Sequence, residues 1–453
     1  MMGTDRLSDL EVQVGDLNLN AKPSDRLASS AILTLPFDIT SQIFILFVGQ
    51  WSDFHDTGSG PLLLASVCKA WRAIALDLPP IWSHIEIYPT RTRWGAEQLL
   101  QVWLPRAGDH PLDLDIRRQN SEYNMFGILA PSSMQWRSIH LVLSSLPFWV
   151  VNEIGGRTPL LERVTLIREA PASPEWLERG PRITAFRDAP RLRSASLFHV
   201  YMDRIELPWT QLTWLEWCGS ELELADLIKV LSHTSQLETL FVDTSHDPFF
   251  NLLYAPGIPS IRFEHLVSLT LQGRQLKLPL LAIAAPALKH LTISSTVNHN
   301  DLPHLLPFLA RSGSLSLISL EAFLAFTAIS ALEAAATASE VRLTRVSWPT
   351  SDLAALFTRI RLDASFLPHV QTLALEQCFS PLPYSELADM LGAREGGECA
   401  RLARFRFTRP RARSCRVAKA AGAGGQWHRS RYPGTQYWLR SAEVLCIMIS
   451  NQK

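Results

Sequence analysis

The stretch QLETLFV at 236–242 carries a pattern of apolar side chains that returns along the chain. It is followed by HLVSLTL at 265–271 and by ALKHLTI at 287–293. In each stretch, a first apolar residue is followed three and five positions later by two more. Because side chains alternate between the two faces of a strand, these last two residues point to the same face. Each stretch therefore predicts a short strand with one buried face.

The same apolar-x-x-apolar-x-apolar pattern occurs eleven times, and successive units begin 20 to 32 residues apart. The units begin at Trp136, Leu161, Leu192, Leu212, Leu237, Leu266, Leu288, Leu315, Ala338, Val370 and Leu402. Recurrence at such a period is typical of leucine-rich repeats. A single unit cannot close its own core, so neighbouring units stack. Residues 88–408 are therefore predicted to form an irregular, leucine-rich-repeat-like α/β solenoid, curved, with a parallel sheet on the concave side.

The segments between these units favour helices on the outer side of the sheet. Examples are LADLIKVLSHT at 224–234 and AFLAFTAISALEAAATA at 322–338. The alternative is a doubly wound sheet of the Rossmann type, which requires a glycine-rich turn from strand to helix. The sequence contains no such turn. The repeats are nevertheless irregular, because most lack the Asn that usually follows the strand.

Residues 31–87 differ from the repeats and predict three helices. Pro36 suits a helix start, where its missing N–H costs nothing. Ile39, Ile43, Leu46 and Phe47 follow at i, i+4, i+7 and i+8, which places them on one face. A second stripe is predicted to run on from Pro61, and it consists of Leu64, Val67, Cys68, Trp71, Ile74, Ala75 and Leu78. These stripes fit either a small three-helix core or, because they exceed the needs of so small a unit, a surface for a partner.

Three blocks of this zone closely resemble the F-box, in the form abundant in mushroom-forming fungi. They are LPFDITSQIF at 35–44, GPLLLASVCKAWRAIA at 60–75 and LPPIWSHIEI at 78–87. The blocks stand in the family's order and at its usual spacing, with Asp38 where the family more often has Glu. AEQLLQVWLPRAGDHPLDLDI at 96–116 also resembles the helix and strand that follow the box in those fungal proteins.

In the F-box family, this module binds the Skp adaptor of Skp–cullin–F-box ubiquitin ligases through apolar side chains. The resemblance therefore implies a Skp-type adaptor, and through it a cullin, as partners of residues 31–87. Matching the first two blocks to the family's motif gives ten candidate adaptor-binding residues: Leu35, Pro36, Ile39, Ile43, Phe44, Val67, Cys68, Lys69, Trp71 and Arg72.

A solenoid binds its ligands along the concave face, where alternate strand residues point outwards. The most distinctive outward positions include two aromatic residues, a residue type that is enriched at binding hot spots. They are the candidate substrate-binding residues Trp214, Glu216, Glu238, Phe241, His290 and Arg342. These aromatic rings could alternatively lie under adjacent side chains or loops.

Motifs for catalysis and for cofactors are missing from the sequence. There is no GxGxxG, Walker A, GxSxG or HExxH motif. His290, His299 and His304 lack the spacing of a zinc site. Cys68 lies on an apolar stripe without a positioned histidine, which favours packing over catalysis. We expect no enzymatic activity, no cofactor and no metal, and solvated carboxylates at Glu216 and Glu238 rather than an acid–base pair.

The overall composition restricts the classes of partner and the compartment. The 43 Lys and Arg residues balance 43 Asp and Glu residues, which argues against a general nucleic-acid binder. Six cysteines without a CxxC pair favour reduced thiols in an intracellular protein. With no secretory signal pattern and no apolar run of about 18 residues, we expect neither secretion nor membrane insertion. The cytoplasm, the nucleus or both are the predicted locations.

The two ends of the chain differ from the rest in composition. Residues 1–30 are polar and are predicted to be a loose lead-in. Residues 401–440 contain eleven Lys or Arg and no Asp or Glu. For 409–453, three interpretations remain: a disordered basic tail, a nuclear-import signal in RPRARSCR at 409–416, or a mis-spliced gene product that replaces the last repeat and its cap.

Together these patterns predict a substrate-recognition subunit of a Skp–cullin–F-box ubiquitin ligase. The F-box at 31–87 docks on the adaptor, and the solenoid binds an unknown protein substrate. The alternative is an F-box and repeat scaffold that acts outside the ligase.

Overall fold

The computed structural model describes most of the chain in thirteen segments. They are residues 35–49, 60–87, 96–116, 122–143, 148–168, 182–219, 221–244, 260–273, 276–294, 302–321, 325–393, 402–409 and 437–439. The predicted lead-in, and the predicted tail apart from residues 409 and 437–439, lie outside them. The chain divides into two compact units, Met1–Pro208 and Trp209–Lys453.

The first unit begins with the three helices that the sequence predicts. They are α1 (Phe37–Val48), α2 (Gly60–Val67) and α3 (Lys69–Leu76). Pro36 lies one position before α1 with an extended backbone, φ −54° and ψ 148°. Its ring therefore fixes the entry into the helix, and no helical N–H is lost. Asp38 lies in the first turn, where its charge complements the positive end of the helix dipole.

The second apolar stripe is divided between two helices, whereas the sequence predicts one continuous stripe. Cys68 separates α2 from α3, with φ −160° and ψ 169°. Its Sγ atom accepts a hydrogen bond from the backbone N–H of Trp71 at 3.4 Å. Cys68 is thus the N-cap of α3, a position where a side-chain acceptor satisfies a backbone N–H of the first turn.

A parallel sheet follows the helices in the first unit. Its strands, in both spatial and chain order, are β1 (His84–Ile87), β2 (Leu112–Ile116), β3 (Trp136–Val142), β4 (Arg163–Ile167) and β5 (Ser194–Phe198). The helices between them are α4 (Ala96–Ala107), α5 (Glu122–Leu129) and α6 (Phe148–Asn152). Strand β1 consists of the last residues of the predicted F-box, so that segment is part of the sheet.

The second unit continues the strand–helix alternation. Its parallel strands, in spatial order, are β6 (Trp214–Cys218), β7 (Thr239–Asp243), β9 (Ser268–Gln272), β11 (His290–Ser294), β12 (Leu317–Glu321), β13 (Glu340–Thr344), β14 (Thr372–Glu376) and β15 (Arg404–Phe407). The strand β16 (Tyr437–Leu439) pairs antiparallel with β15, and β8 (Ile261–Arg262) pairs with β10 (Ile283–Ala284). The helices are α7 (Glu221–Leu231), α8 (Lys277–Ala282), α9 (Leu302–Arg311), α10 (Ala325–Ala334), α11 (Thr350–Leu362) and α12 (Tyr384–Ala393).

Each of the eleven predicted repeat units contains one of these strands, and the apolar pairs are in register. Leu240 of β7 pairs with Leu269 of β9, which pairs with Leu291 of β11. All three side chains are fully buried. In these three strands the residues between the buried ones are partly exposed, so one face of the strands is covered and the other faces outwards. Parallel strands with intervening helices and this burial pattern form a leucine-rich-repeat-like fold.

The turn that follows the strand adopts an unusual backbone in several repeats. Arg345 after β13 and Gln377 after β14 have φ values of 52° and 53°, and Gly273 after β9 has 114°. This left-handed region favours glycine, and other residues are strained there. In these three repeats the residue after the strand is Arg, Gln or Gly, whereas regular repeats have Asn after the strand.

Gly313 gives a test of the close packing between repeats. A Cβ atom at this position would overlap the carbonyl oxygen of Pro286 and lie 2.9 Å from that of Leu288. We expect Gly313→Ala to lower the free energy of unfolding by about 1–3 kcal/mol, because the backbone must shift. Gly392→Ala is the matched control, since its Cβ meets nothing within 4 Å, and it should raise stability by up to about 1 kcal/mol. Urea denaturation measures both, and equal effects would contradict the described packing.

Candidate functional site

Helix α1 directs its predicted apolar stripe outwards. Ile39, Ile43, Leu46 and Phe47 are all exposed, Leu46 by 79%. The opposite face, which packs on the rest of the unit, consists of Thr40, Ser41, Phe44 and Val48. The periodicity was interpreted correctly as one face of a helix, but the residues on it do not form the core of the three helices.

The buried face of α1 is partly polar, which is the reverse of an ordinary surface helix. Thr40 donates its hydroxyl hydrogen to the carbonyl oxygen of Pro36 at 3.2 Å. The Ser41 hydroxyl is buried and has no hydrogen-bond partner among the described residues. Phe44 and Val48 are the apolar residues of this face. The ring of Phe44 meets that of Trp71 edge to face, with centroids 5.0 Å apart.

The ten candidate adaptor-binding residues divide by exposure. The exposed ones are Leu35, Pro36, Ile39, Ile43, Val67, Lys69 and Arg72. Cys68 and Trp71 are half-buried. Phe44 is fully buried, so it supports the surface from beneath and does not belong to it.

Sequence reasoning omitted four other exposed apolar residues of this region from the candidate set. They are Phe37, Leu46, Phe47 and Leu76. Together with Leu35, Ile39, Ile43 and Val67, they make eight of the fifteen exposed large apolar residues in the described chain. These eight residues are called the apolar surface below. This concentration of exposed apolar residues makes the region the candidate interaction site.

The outward face of the second unit holds five of the six candidate substrate-binding residues. Trp214 and Glu216 lie on β6, and Phe241 on β7 is the register partner of Glu216. Across the neighbouring strands, His290 on β11 is in register with Trp214. Arg342 on β13 is in register with Glu216 and Phe241. The two aromatic residues are half-buried, so each presents part of its ring to solvent.

Glu238 differs from the prediction, which placed it in a strand. It lies directly before β7, outside the strand, and is exposed. Its carbonyl oxygen accepts hydrogen bonds from the backbone N–H groups of Val267 and Ser268, at 2.8 and 3.0 Å. Because it precedes the first paired residue, its side chain is outside the alternating rows.

Charged residues on or next to β12 to β15 of the second unit form ion pairs. Arg342 contacts Glu340 at 2.6 Å, Arg345 contacts Glu321 at 3.0 Å, and Arg406 contacts Glu376 at 3.3 Å. This charge balance differs from the excess of positive charge that nucleic-acid binding requires.

A buried acidic residue, missed in the sequence, organises the outward face of the first unit. Asp113 on β2 is only 3% exposed and contacts groups on three other strands. His84 of β1 lies 2.9 Å away, and Arg163 of β4 lies 3.6 Å away. Arg137 of β3 donates to both carboxylate oxygens, from Nε at 3.0 Å and from a terminal nitrogen. The alternation LDLDI at 112–116 was the available signal, since it places two carboxylates on one sheet face.

The environment of Asp113 favours its charged form. Burial alone would raise its pKa. The hydrogen bonds from His84 and Arg137, with the positive charge of Arg137, outweigh burial and lower the pKa of Asp113 to about 2. The ionised carboxylate therefore stabilises the folded sheet at neutral pH.

The described residues contain no group of three or more His, Cys, Asp or Glu side chains that could hold a metal ion. His299 lies outside them. Among the helices that the structure describes, none has the length and apolar character needed to cross a membrane.

Comparison with known proteins gives only distant similarity. No protein-family model matches the chain, and no curated protein matches it. Among solved structures, it is similar to the TLR13–ssRNA13 complex, with 13% identity over 56% of this chain and a TM-score of 0.33. It is also similar to the internalin inlF of Listeria monocytogenes, with 13% identity over 73% of this chain and 91% of that chain, and a TM-score of 0.31. The chain spans 44% of the TLR13 chain. The repeat fold rests on the strand register and burial described above.

The Asp113 cluster generates a prediction about pH. Above the ordinary Asp pKa of 3.8 the charged cluster is fully formed, and its contribution is lost as the pH falls towards about 2. A shift of this size corresponds to roughly 2 kcal/mol. Asp113→Asn should therefore be less stable than the wild type at pH 7, by about 3 kcal/mol, and the difference should narrow below pH 4. Chemical denaturation across this pH range is the measurement. The exposed Asp109→Asn serves as the control, and an equal pH dependence in both variants would refute the role of Asp113.

Proposed function

We propose that this protein is the substrate-recognition subunit of a Skp–cullin–F-box ubiquitin ligase. In this proposal, the apolar surface on α1 to α3 docks on a Skp-type adaptor, and through it on a cullin. The outward face of the repeat sheet binds the target protein. The three F-box-like sequence blocks support the first part, and the leucine-rich-repeat-like fold supports the second.

The reversed polarity of α1 is the observation that carries the proposal. A helix of an isolated domain gains stability by burying its apolar face, at about 25 cal/mol for each Å² removed from water. Helix α1 instead buries two hydroxyl-bearing residues and leaves Ile39, Ile43 and Phe47 in solvent. A partner that covers this stripe recovers that free energy on binding, and the F-box resemblance identifies the partner as a Skp-type adaptor.

The proposal requires no active site in this chain. Ubiquitin transfer in such ligases is performed by other subunits, and the recognition subunit acts by holding the target close to them. Cys68 is the one cysteine of the segment from α1 to β1, which is called the helical module below. It caps α3 through its Sγ atom, a structural task that accounts for its position.

The alternative function is an F-box and repeat scaffold that acts outside the ligase. It shares the docking surface and differs in the assembly that forms. Affinity purification of the intact chain distinguishes the two, because the ligase proposal requires a cullin to accompany the adaptor. Recovery of the adaptor without a cullin would favour the scaffold.

The docking proposal predicts the effect of a charge on the apolar surface. Ile39→Asp and Ile43→Asp each place a carboxylate in the proposed interface, where an unpaired charge is costly. We expect each to weaken binding to purified Skp-type adaptor at least tenfold, about 1.4 kcal/mol, in a calorimetric titration. Both positions are exposed in the free protein, so its stability should change little.

Leu362→Asp is the matched control for these variants. Leu362 is a 71% exposed apolar residue at the end of α11 in the second unit, and its replacement should leave adaptor binding unchanged. The proposal is wrong if the folded wild-type protein does not bind the adaptor at micromolar concentration, or if all three variants bind it equally well.

A further inference from the structure

Two tryptophan residues join the helical module to the sheet of the first unit. Trp82 ends the 3₁₀ turn Pro79–Trp82, and Trp103 lies in α4, beyond the predicted end of the F-box. Both rings are fully buried and meet edge to face, with centroids 4.7 Å apart and planes at 77°. The Nε1–H of Trp103 donates to the carbonyl oxygen of Trp82 at 2.8 Å. The guanidinium group of Arg106, one turn further along α4, lies 4.7 Å from the Trp82 ring centroid.

Trp82 also contacts α3. Its Nε1–H donates at 2.7 Å to the carbonyl oxygen of Ala75, in the last turn of α3, where backbone carbonyls lack helical partners. Trp71 lies four residues earlier, on the same side of the helix, and its ring contacts Phe44 of α1. A continuous path of contacts therefore runs from Trp103 through Trp82 and α3 to α1.

The backbone supplies a second connection at the same place. Strand β1 pairs with β2, and the N–H of Asp113 donates to the carbonyl oxygen of Ser83 at 2.9 Å. The residue next to Trp82 is thus held by the sheet while Trp82 itself is held by α4. Such contacts on both sides leave the end of the helical module little freedom to move.

We infer that Trp103 and Arg106 are positioning residues for the apolar surface. They act through Trp82 and Ala75, and they fix the angle at which α3 supports α1. The unit that presents the surface is therefore residues 35–116, and it extends beyond the predicted boundary at 87. This inference rests on the proposed docking function for its binding readout, and on the fold alone for its second readout.

The test compares substitutions in the full-length chain. Trp103→Ala removes the ring and its hydrogen bond, whereas Trp103→Phe keeps a smaller aromatic ring and loses the hydrogen bond. Trp136→Ala is the matched control, because Trp136 is also a fully buried tryptophan of this unit. Its ring contacts Phe126, and its Nε1–H donates to Ser132, so its contacts lie beyond the path to α3.

Two measurements are needed, hydrogen exchange of the free protein and titration with purified Skp-type adaptor. We expect Trp103→Ala to speed amide exchange in α3 and α1 at least tenfold and to weaken adaptor binding at least tenfold. Trp103→Phe should restore binding to within about threefold of the wild type. Trp136→Ala should lower the melting temperature while leaving exchange in α3 and adaptor affinity within about twofold of the wild type.

Arg106→Ala keeps the inference testable if Trp103→Ala does not fold. It removes a half-buried cation from the Trp82 ring and should produce the same pattern to a smaller extent, about threefold in exchange. The inference is overturned if the Trp103 and Arg106 variants leave exchange in α3 and α1 at the level of Trp136→Ala. If the wild-type protein fails to bind the adaptor, the docking function is wrong, while the exchange comparison still decides the positioning role.

Discussion

Each of the eleven repeat strands directs two apolar side chains to a face that it cannot cover alone. Burial is achieved only because the next strand repeats the pair in register, as Leu240, Leu269 and Leu291 do across β7, β9 and β11. Large buried side chains of this kind contribute on the order of 1.5–3 kcal/mol each. The parallel order of the strands follows from this shared burial, and so does the covering of one sheet face by helices while the other face stays open.

The helical module at the start of the chain differs from the repeats in this respect. Its helix α1 packs through Thr40, Ser41, Phe44 and Val48 and leaves a longer apolar stripe in solvent. The module therefore depends on contacts outside its own helices. Some are present within the chain, where Trp82 packs on Trp103, and others would come from the proposed adaptor.

Polar contacts as well as apolar packing connect the strands of the first unit. Asp113 on β2 contacts His84 of β1, Arg137 of β3 and Arg163 of β4, so a single carboxylate connects β1 with the first two repeat strands. A buried charge is tolerated because several donors surround it. This cluster and the tryptophan pair both lie where β1 meets the elements that follow it.

The sequence by itself determined the repeats, the three helices and the identity of the strands. Those features depend on local periodicity, and a period of two or of 3.6 residues is visible in a single sequence. It also located the stripe on α1, but it left open whether that stripe was core or surface. Only tertiary structure decided this, since burial depends on which elements pack against a helix. The same holds for the buried position of Phe44, for Glu238 outside its strand and for the contact between Trp82 and Trp103. Trp82 and Trp103 are 21 positions apart in the sequence. Folding brings them into contact, and no local sequence pattern predicts a contact over that separation.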